Sequence, residues 1–242
     1  MTDIVIKSKD NKKYKSLVDI KNNKDKKSDL ILVEGEDLID MCLESSSNLI
    51  EVISLEYNKK YEKYPQYLLS KDLYRTLSSY SSLPRSIGLC EYNLSSYKDD
   101  KIIYLDGVQD PGNLGTIERT ALALGYKTIV LSDSCVSPYN FKAIQASKGS
   151  VFKLNISYAK LEDILNEGYK LFMTSLGGKD VSNIKNIPEK YALVFGNEGQ
   201  GISSDNLKLD GEKILLPISK EIDSLNVGVA AGIFMYIFKT RG

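Results

Sequence analysis

Three stretches of the 242-residue chain hold more glycine, proline and polar groups than turning a backbone requires. They are DGVQDPGNLGTIERTALALG from residue 106, GNEGQGIS from residue 196 and LPISKEIDSLNVGVA from residue 216. Their side chains with chemical capacity are Asn113, Arg119, Glu198, Ser224 and Asn226, and their glycines would let backbone N–H groups come close to a ligand. The glycine spacing is neither G-x-G-x-x-G nor G-K-[ST], so neither a dinucleotide cradle nor a P-loop is indicated. The chain contains no histidine, which excludes Ser-His-Asp and Cys-His nucleophile systems and imidazole metal sites. Proton transfer must then use Asp, Glu, Lys, Tyr, a substrate group or water, and a cofactor carrying its own reactive group suits such a protein. Taken singly, each stretch has a plainer reading: DPGN as a turn, Arg119 as a surface arginine, Ser224 as the cap of the last helix. Asn226, an amide in an otherwise apolar helix, needs a partner if buried.

For the three stretches to line one pocket, the elements before them must end at one sheet edge. KIIYLD, YKTIVLS, GYKLFMTSL, YALVFG and KILLPI read as strands. Between them, NLGTIERTALALG reads as a helix closed by Gly125, SPYNFKAIQASKG as a helix with Pro at its start, and DSLNVGVAAGIFMYIFKTR as a terminal helix. This alternation implies an α/β fold with a mostly parallel sheet, in which ligands sit outside the carboxyl ends of the strands. Upstream, Leu30 to Val33 reads as a strand, a helix follows from Asp37, and LIEVISL is a second strand. The Tyr-rich segment from Tyr61 to Tyr80 reads as mostly helical with a break near Pro65. The polar stretch NLSSYKDD sets a domain boundary near residue 98, giving domains 1–97 and 98–242.

Lys+Arg and Asp+Glu both number 32, but residues 1–27 carry nine lysines against four aspartates. Such an arm reads either as an electrostatic footprint for a polyanion or as a solvated lysine-rich face. Three scattered cysteines, Cys42, Cys90 and Cys135, form neither a disulfide framework nor a metal knuckle, which points to a reducing, cytoplasmic setting. The apolar stretch Leu225 to Phe238 is too short to span a bilayer, so no membrane role is expected.

The three stretches resemble the three motifs of the SpoU (TrmH-like) family of S-adenosylmethionine-dependent RNA ribose 2′-O-methyltransferases, in the SPOUT superfamily. Asn113, Gly115, Arg119, Thr120 and Ala121 match the first motif; Leu193, Phe195, Gly196, Glu198 and Gly201 the second; Pro217, Ile218, Ser224, Leu225, Asn226 and Val227 the third. The match covers residues 101–240 and rests on order, spacing and polar identity together. Ile218 and Lys220 depart from the Met and Gly of many members, which bears on loop shape and substrate choice. The resemblance implies a trefoil knot around the methyl donor, a homodimer with pockets at its interface, and no metal. It also implies an N-terminal, ribosomal-protein-like α/β domain that binds RNA. It assigns donor binding to Gly196, Leu216, Ile218, Leu225, Ser175 and Leu176. The catalytic set it implies is Arg119, Asn113, Glu198, Ser224 and Asn226, and Lys12 and Lys13 join Arg119 as candidate RNA contacts. Guanidinium stays protonated in proteins, so Arg119 suits charge stabilisation, with a phosphate oxygen or Glu198 taking the proton. The extra N-terminal domain favours ribosomal RNA over tRNA. The rival readings are a tRNA enzyme and a catalytically silent RNA-binding or assembly protein on the same scaffold.

Overall fold

The structure, a computed structural model, describes residues 4–22, 29–45 and 47–241. The chain divides into two compact units, Met1–Asn93 and Leu94–Gly242.

In the second unit the strands β6 (Lys101–Asp106), β7 (Thr128–Leu131), β8 (Asn155–Tyr158), β9 (Lys170–Asp180), β10 (Tyr191–Gly196) and β11 (Glu212–Leu215) form one sheet. Its order is β11-β9-β10-β6-β7-β8 and every pair is parallel. Strand β10 is buried along its whole length, as a central strand covered on both faces must be. Between the strands run the helices α4 (Pro111–Leu124), α5 (Phe141–Ser147) and α6 (Leu161–Asn166), and α7 (Val227–Arg241) follows the last strand. The register sets Gly196 beside Asp106 and Leu215 beside Asp180. The chain therefore leaves β6, β10 and β11 at one sheet edge, and these exits are the three polar stretches.

Helix α4 begins where Asp110 accepts the Asn113 amide at 2.8 Å, with Pro111 inside its first turn, and ends at Gly125, whose φ of 87° is left-handed. It lies tight on α5: a Cβ added at Gly115 would stand 2.5 Å from the Ala143 carbonyl oxygen. It also lies tight on α7, where Gly228 and Gly232 face Thr116 and Thr120. Helix α7 starts four residues later than its apolar pattern suggests. Asn226 caps it, accepting from the Gly228 and Val229 amides at 2.9 and 3.3 Å, so Ser224 is not the cap and Asn226 is not inside the helix.

The first unit carries β1 (Ile4–Ile6), α1 (Lys12–Lys21), β2 (Leu30–Glu34), α2 (Glu36–Leu43), β3 (Asn48–Ser54), β4 (Gln66–Leu69), α3 (Lys71–Leu77) and β5 (Ser86–Glu91). Its sheet, ordered β1-β4-β3-β5-β2, is mixed, with β5 antiparallel to both β2 and β3. Two expectations fail here. The Tyr-rich segment is not mostly helical, because Gln66–Leu69 enters the sheet between β1 and β3 before α3 begins. The lysine-rich start is not an arm over residues 4–21, because Ile6, Tyr14 and Leu17 are buried in this unit's core. Residues 23–28 of that stretch lie outside the described residues.

Candidate active site

The glycine-rich stretch after β10 folds back over its own start. Asn197 and Gly201 exchange both backbone hydrogen bonds at 2.9 Å, and Gly201 has φ +71°. Gly196 lies directly under this crossing, where any Cβ would collide with the Gly201–Ile202 peptide. Asn197 fastens the bend, its amide nitrogen donating to the Gly107 carbonyl at 2.8 Å and its oxygen accepting from the Gly199 and Gln200 amides. A second tie runs from the Ser203 amide to Asp106 at 2.8 Å.

This bend carries Glu198 to the start of α4. Its carboxylate accepts from the Asn113 side-chain amide at 3.0 Å, the Asp110 amide at 3.2 Å and the Gln109 amide at 3.4 Å. The other end of the Asn113 side chain accepts from the Asn226 amide at 2.8 Å. One chain of hydrogen bonds thus joins all three motif loops, from α7 through α4 to β10. Partial burial raises the Glu198 pKa, but the hydrogen bonds from Asn113 and the backbone outweigh it and hold the carboxyl below its ordinary value. Glu198 is therefore held as an anion with three of its roughly four acceptor sites occupied, which makes it a weak proton acceptor.

Beside this chain opens a cavity of about 680 Å³. Asn113, Glu198, Ser224, Asn226, Gly196, Leu216, Ile218, Leu225, Ser175 and Leu176 all line it. Arg119 does not: it lies exposed on α4, six residues past Asn113, with no hydrogen bond or ion pair among the described residues. Among the described residues, two carboxylates, Glu198 and Asp223, and no lysine or arginine line the cavity. Its volume suits a ligand of nucleoside size, and its charge suits a cationic one. Sequence reasoning passed over Asn197 and Asp106, which shape the bend; an Asn between glycines, apt to bond its own backbone two residues on, was the available signal. In the first unit Lys12 is exposed, whereas Lys13 is paired with Glu51 and lies over the Tyr67 ring, so its charge is largely answered within the protein. Among the described residues no cluster of His, Cys, Asp and Glu could hold a metal ion, and no helix is long and apolar enough to cross a membrane.

The model of the SpoU rRNA Methylase family matches residues 100–236. The chain belongs to the SpoU rRNA methylase family. Within that family it is 31% identical, over 96% of its length and 97% of the relative's, to the 23S rRNA (guanosine(2553)-2'-O)-methyltransferase RlmP of Bacillus subtilis. It is 35% identical to the 23S rRNA (adenosine(1067)-2'-O)-methyltransferase of Streptomyces laurentii, matching 60% of this chain and 55% of that protein. Among solved structures, the AdoMet-bound rRNA methyltransferase from Sinorhizobium meliloti superposes with a TM-score of 0.87 at 24% identity, covering 98% of this chain and 97% of that one. The SpoU methyltransferase AviRb from Streptomyces viridochromogenes in complex with AdoMet gives 0.84 at 20% identity, covering 96% and 98%. The shared fold therefore runs through both units.

Proposed function

We propose that this SpoU-family protein transfers the methyl group of S-adenosylmethionine to a ribose 2′-hydroxyl of ribosomal RNA. The observation that carries this reading is the cation-free cavity into which all three motif loops converge. Near full-length similarity to an enzyme named for 23S rRNA favours ribosomal RNA over tRNA. Bound S-adenosylmethionine supplies an electrophilic methyl on a sulfonium. Leu176, Leu216, Ile218 and Leu225 give its apolar parts a surface, Ser175 and the backbone at Gly196 offer polar contacts, and Glu198 and Asp223 answer its positive charge. The Asn226–Asn113–Glu198 chain holds the loops in one geometry, so that alignment is set before substrate arrives. Arg119 stabilises charge developing on the ribose oxygen. Because Glu198 is committed to three donors, a phosphate oxygen of the RNA or water is the better destination for the proton.

The same reading makes the first unit an RNA-binding domain and the second a knotted catalytic domain. The approach of β11 to β9 at Gly178, where a Cβ would stand 2.6 Å from the Ile214 amide nitrogen, fits the close winding a knot requires. It also makes the protein a cytoplasmic homodimer. Val229, Ile233 and Tyr236 form an exposed stripe on α7 at helical spacing, the kind of face a second copy covers, and a partner copy could bring its arginine to the cavity. The deciding experiment has two arms. Calorimetry should detect S-adenosylhomocysteine binding, and large-subunit RNA from cells lacking the protein should accept labelled methyl at a single ribose. Donor binding without methyl transfer to any RNA would leave the silent assembly protein as the better reading.

A further inference from the structure

The lysines near the start of the chain do not share one environment. Lys13 answers Glu51, Lys15 pairs with Asp10 at 2.9 Å, and Lys21 donates to the carbonyls of Thr76 and Ser78 at 2.8 and 3.2 Å. Lys7, Lys9 and Lys12 are exposed, and their ammonium groups have no hydrogen bond or ion pair among the described residues. Lys71, from a distant part of the sequence, joins them. Ile6 pairs with Leu69 and accepts the Ser70 amide at 3.2 Å, so Lys7 and Lys71 leave adjacent parallel strands at the same edge. Lys71 is exposed and equally unpaired. Helices α1 and α3 then run side by side in one direction, tied by the Tyr14 hydroxyl to the Leu73 carbonyl and by Lys21 to the end of α3. Lys12 and Lys71 are their first residues.

Lys12 does nothing for its own helix. A cation in the first turn opposes the macrodipole, and α1 has no acidic residue there to offset it. Asn11 already caps the helix, accepting from the Lys13 and Tyr14 amides at 2.9 and 3.3 Å. The patch therefore offers a ligand flexible ammonium groups rather than unmet backbone amides. Of the rings beside it, Tyr14 is buried in the core and Tyr67 is half-buried beneath Lys13, so neither is set for base stacking. Breaking a local rule of helix stability with cations that find no partner among the described residues suggests that the partner lies outside the protein.

We propose that Lys7, Lys9, Lys12 and Lys71 form a contact surface for the phosphate backbone of the substrate RNA, holding it without reading its sequence. This rests on the ribosomal RNA reading above and replaces Lys13 as a contact. The test is filter binding of protein-free large-subunit RNA to the full chain across a salt series. The variant Lys7→Glu/Lys12→Glu/Lys71→Glu is compared with Lys127→Glu/Lys170→Glu/Lys185→Glu, an equal charge change on exposed lysines of the other unit. The patch variant should bind RNA about tenfold or more weakly, with a salt slope shallower by about two, and the control should change less. Both should bind S-adenosylhomocysteine normally. Lys12→Glu alone should weaken RNA binding while leaving the melting temperature unchanged or raised, an outcome a merely structural lysine would not give. Unchanged RNA affinity in the patch variant, or an equal loss in the control, overturns the assignment. If the unaltered protein binds donor product but not ribosomal RNA, the substrate reading falls and the patch with it.

Discussion

Two carboxylates meet helix α4 and are treated in opposite ways. Glu198 reaches its first turn from the loop after β10, partly open to solvent, and is kept ionised by three donors. Glu118 lies on the face turned toward α5, fully buried, with neither oxygen hydrogen-bonded. Burial drives the Glu118 pKa well above the ordinary carboxylate value, and the nearby Ser147 hydroxyl offsets only part of that. Ser147 donates its own proton to the Ile144 carbonyl at 3.1 Å. Burial thus favours the neutral acid at Glu118, in the seam between two helices. The contrast separates two uses of one residue type: a carboxylate that the protein solvates organises a site, and one that is merely buried weakens the fold around it.

The largest effect should come from removing the organising charge. Glu198→Gln cannot accept from two backbone amides and an asparagine on equal terms, so methyl transfer should fall by about 100-fold or more, measured as label incorporated into ribosomal RNA. A similar loss is expected for Asn113→Ala, whereas Asn226→Ala, which leaves the Asn113–Glu198 link in place, should cost less activity but also lower stability by removing the cap of α7. Activity near that of the unaltered protein in Glu198→Gln would erase the contrast. The next effect is on stability. Glu118→Leu should raise unfolding free energy by about 1–3 kcal/mol in urea titrations near pH 8, by removing an unpaired buried polar group.

The same pair predicts opposite pH dependences. The folded-state pKa of Glu118 is raised, so the native state holds its proton above pH 4.5 while the unfolded chain releases it. Its contribution therefore declines as pH rises from about 4.5 toward the elevated value, and Glu118→Leu should flatten that slope. For Glu198 the folded pKa is lowered, so its contribution is present above the ordinary Glu range and disappears on acidification through the lowered value. Urea midpoints from about pH 2 to 9 should show Glu118→Leu gaining on the unaltered protein as pH rises above about 4.5, and Glu198→Gln, less stable near neutrality, converging with it on acidification below that. The smallest effect belongs to the end of α5. Lys148 has φ +52°, the one non-glycine residue with positive φ among those described. Lys148→Gly should leave stability within about 1 kcal/mol of the original, strain relief and lost chain stiffness nearly cancelling.

The motifs made the meeting of the three loops legible, because Asn113, Gly196, Glu198 and Asn226 are polar or small where an ordinary turn has no need of them. The identity of each partner was not legible. Nothing in the spacing says that Glu198 would accept from amides 88 and 89 residues earlier, or that Asn226 would stand at a helix cap rather than within the helix. The apolar run simply continues through it. In the first unit, β1 is only three residues long, and α1 is masked by its lysines: Tyr14 and Leu17 are the buried side chains of ten helical residues, too faint a period to stand out. The segment at Gln66–Leu69 was misread because four residues cannot declare a strand when a helix follows at once.

Asn226 lies 113 residues beyond Asn113, after every strand of the sheet. During synthesis, β6 through β10 can emerge and pair while Glu198 already faces the start of α4, yet the third loop is still inside the ribosomal tunnel. The cavity is therefore completed only once the segment after β11 has followed the whole sheet out. A chain halted before that segment has two of the three loops but lacks Ile218, Ser224, Leu225 and Asn226, which close the cavity, so ligand affinity should appear in one step rather than growing with length.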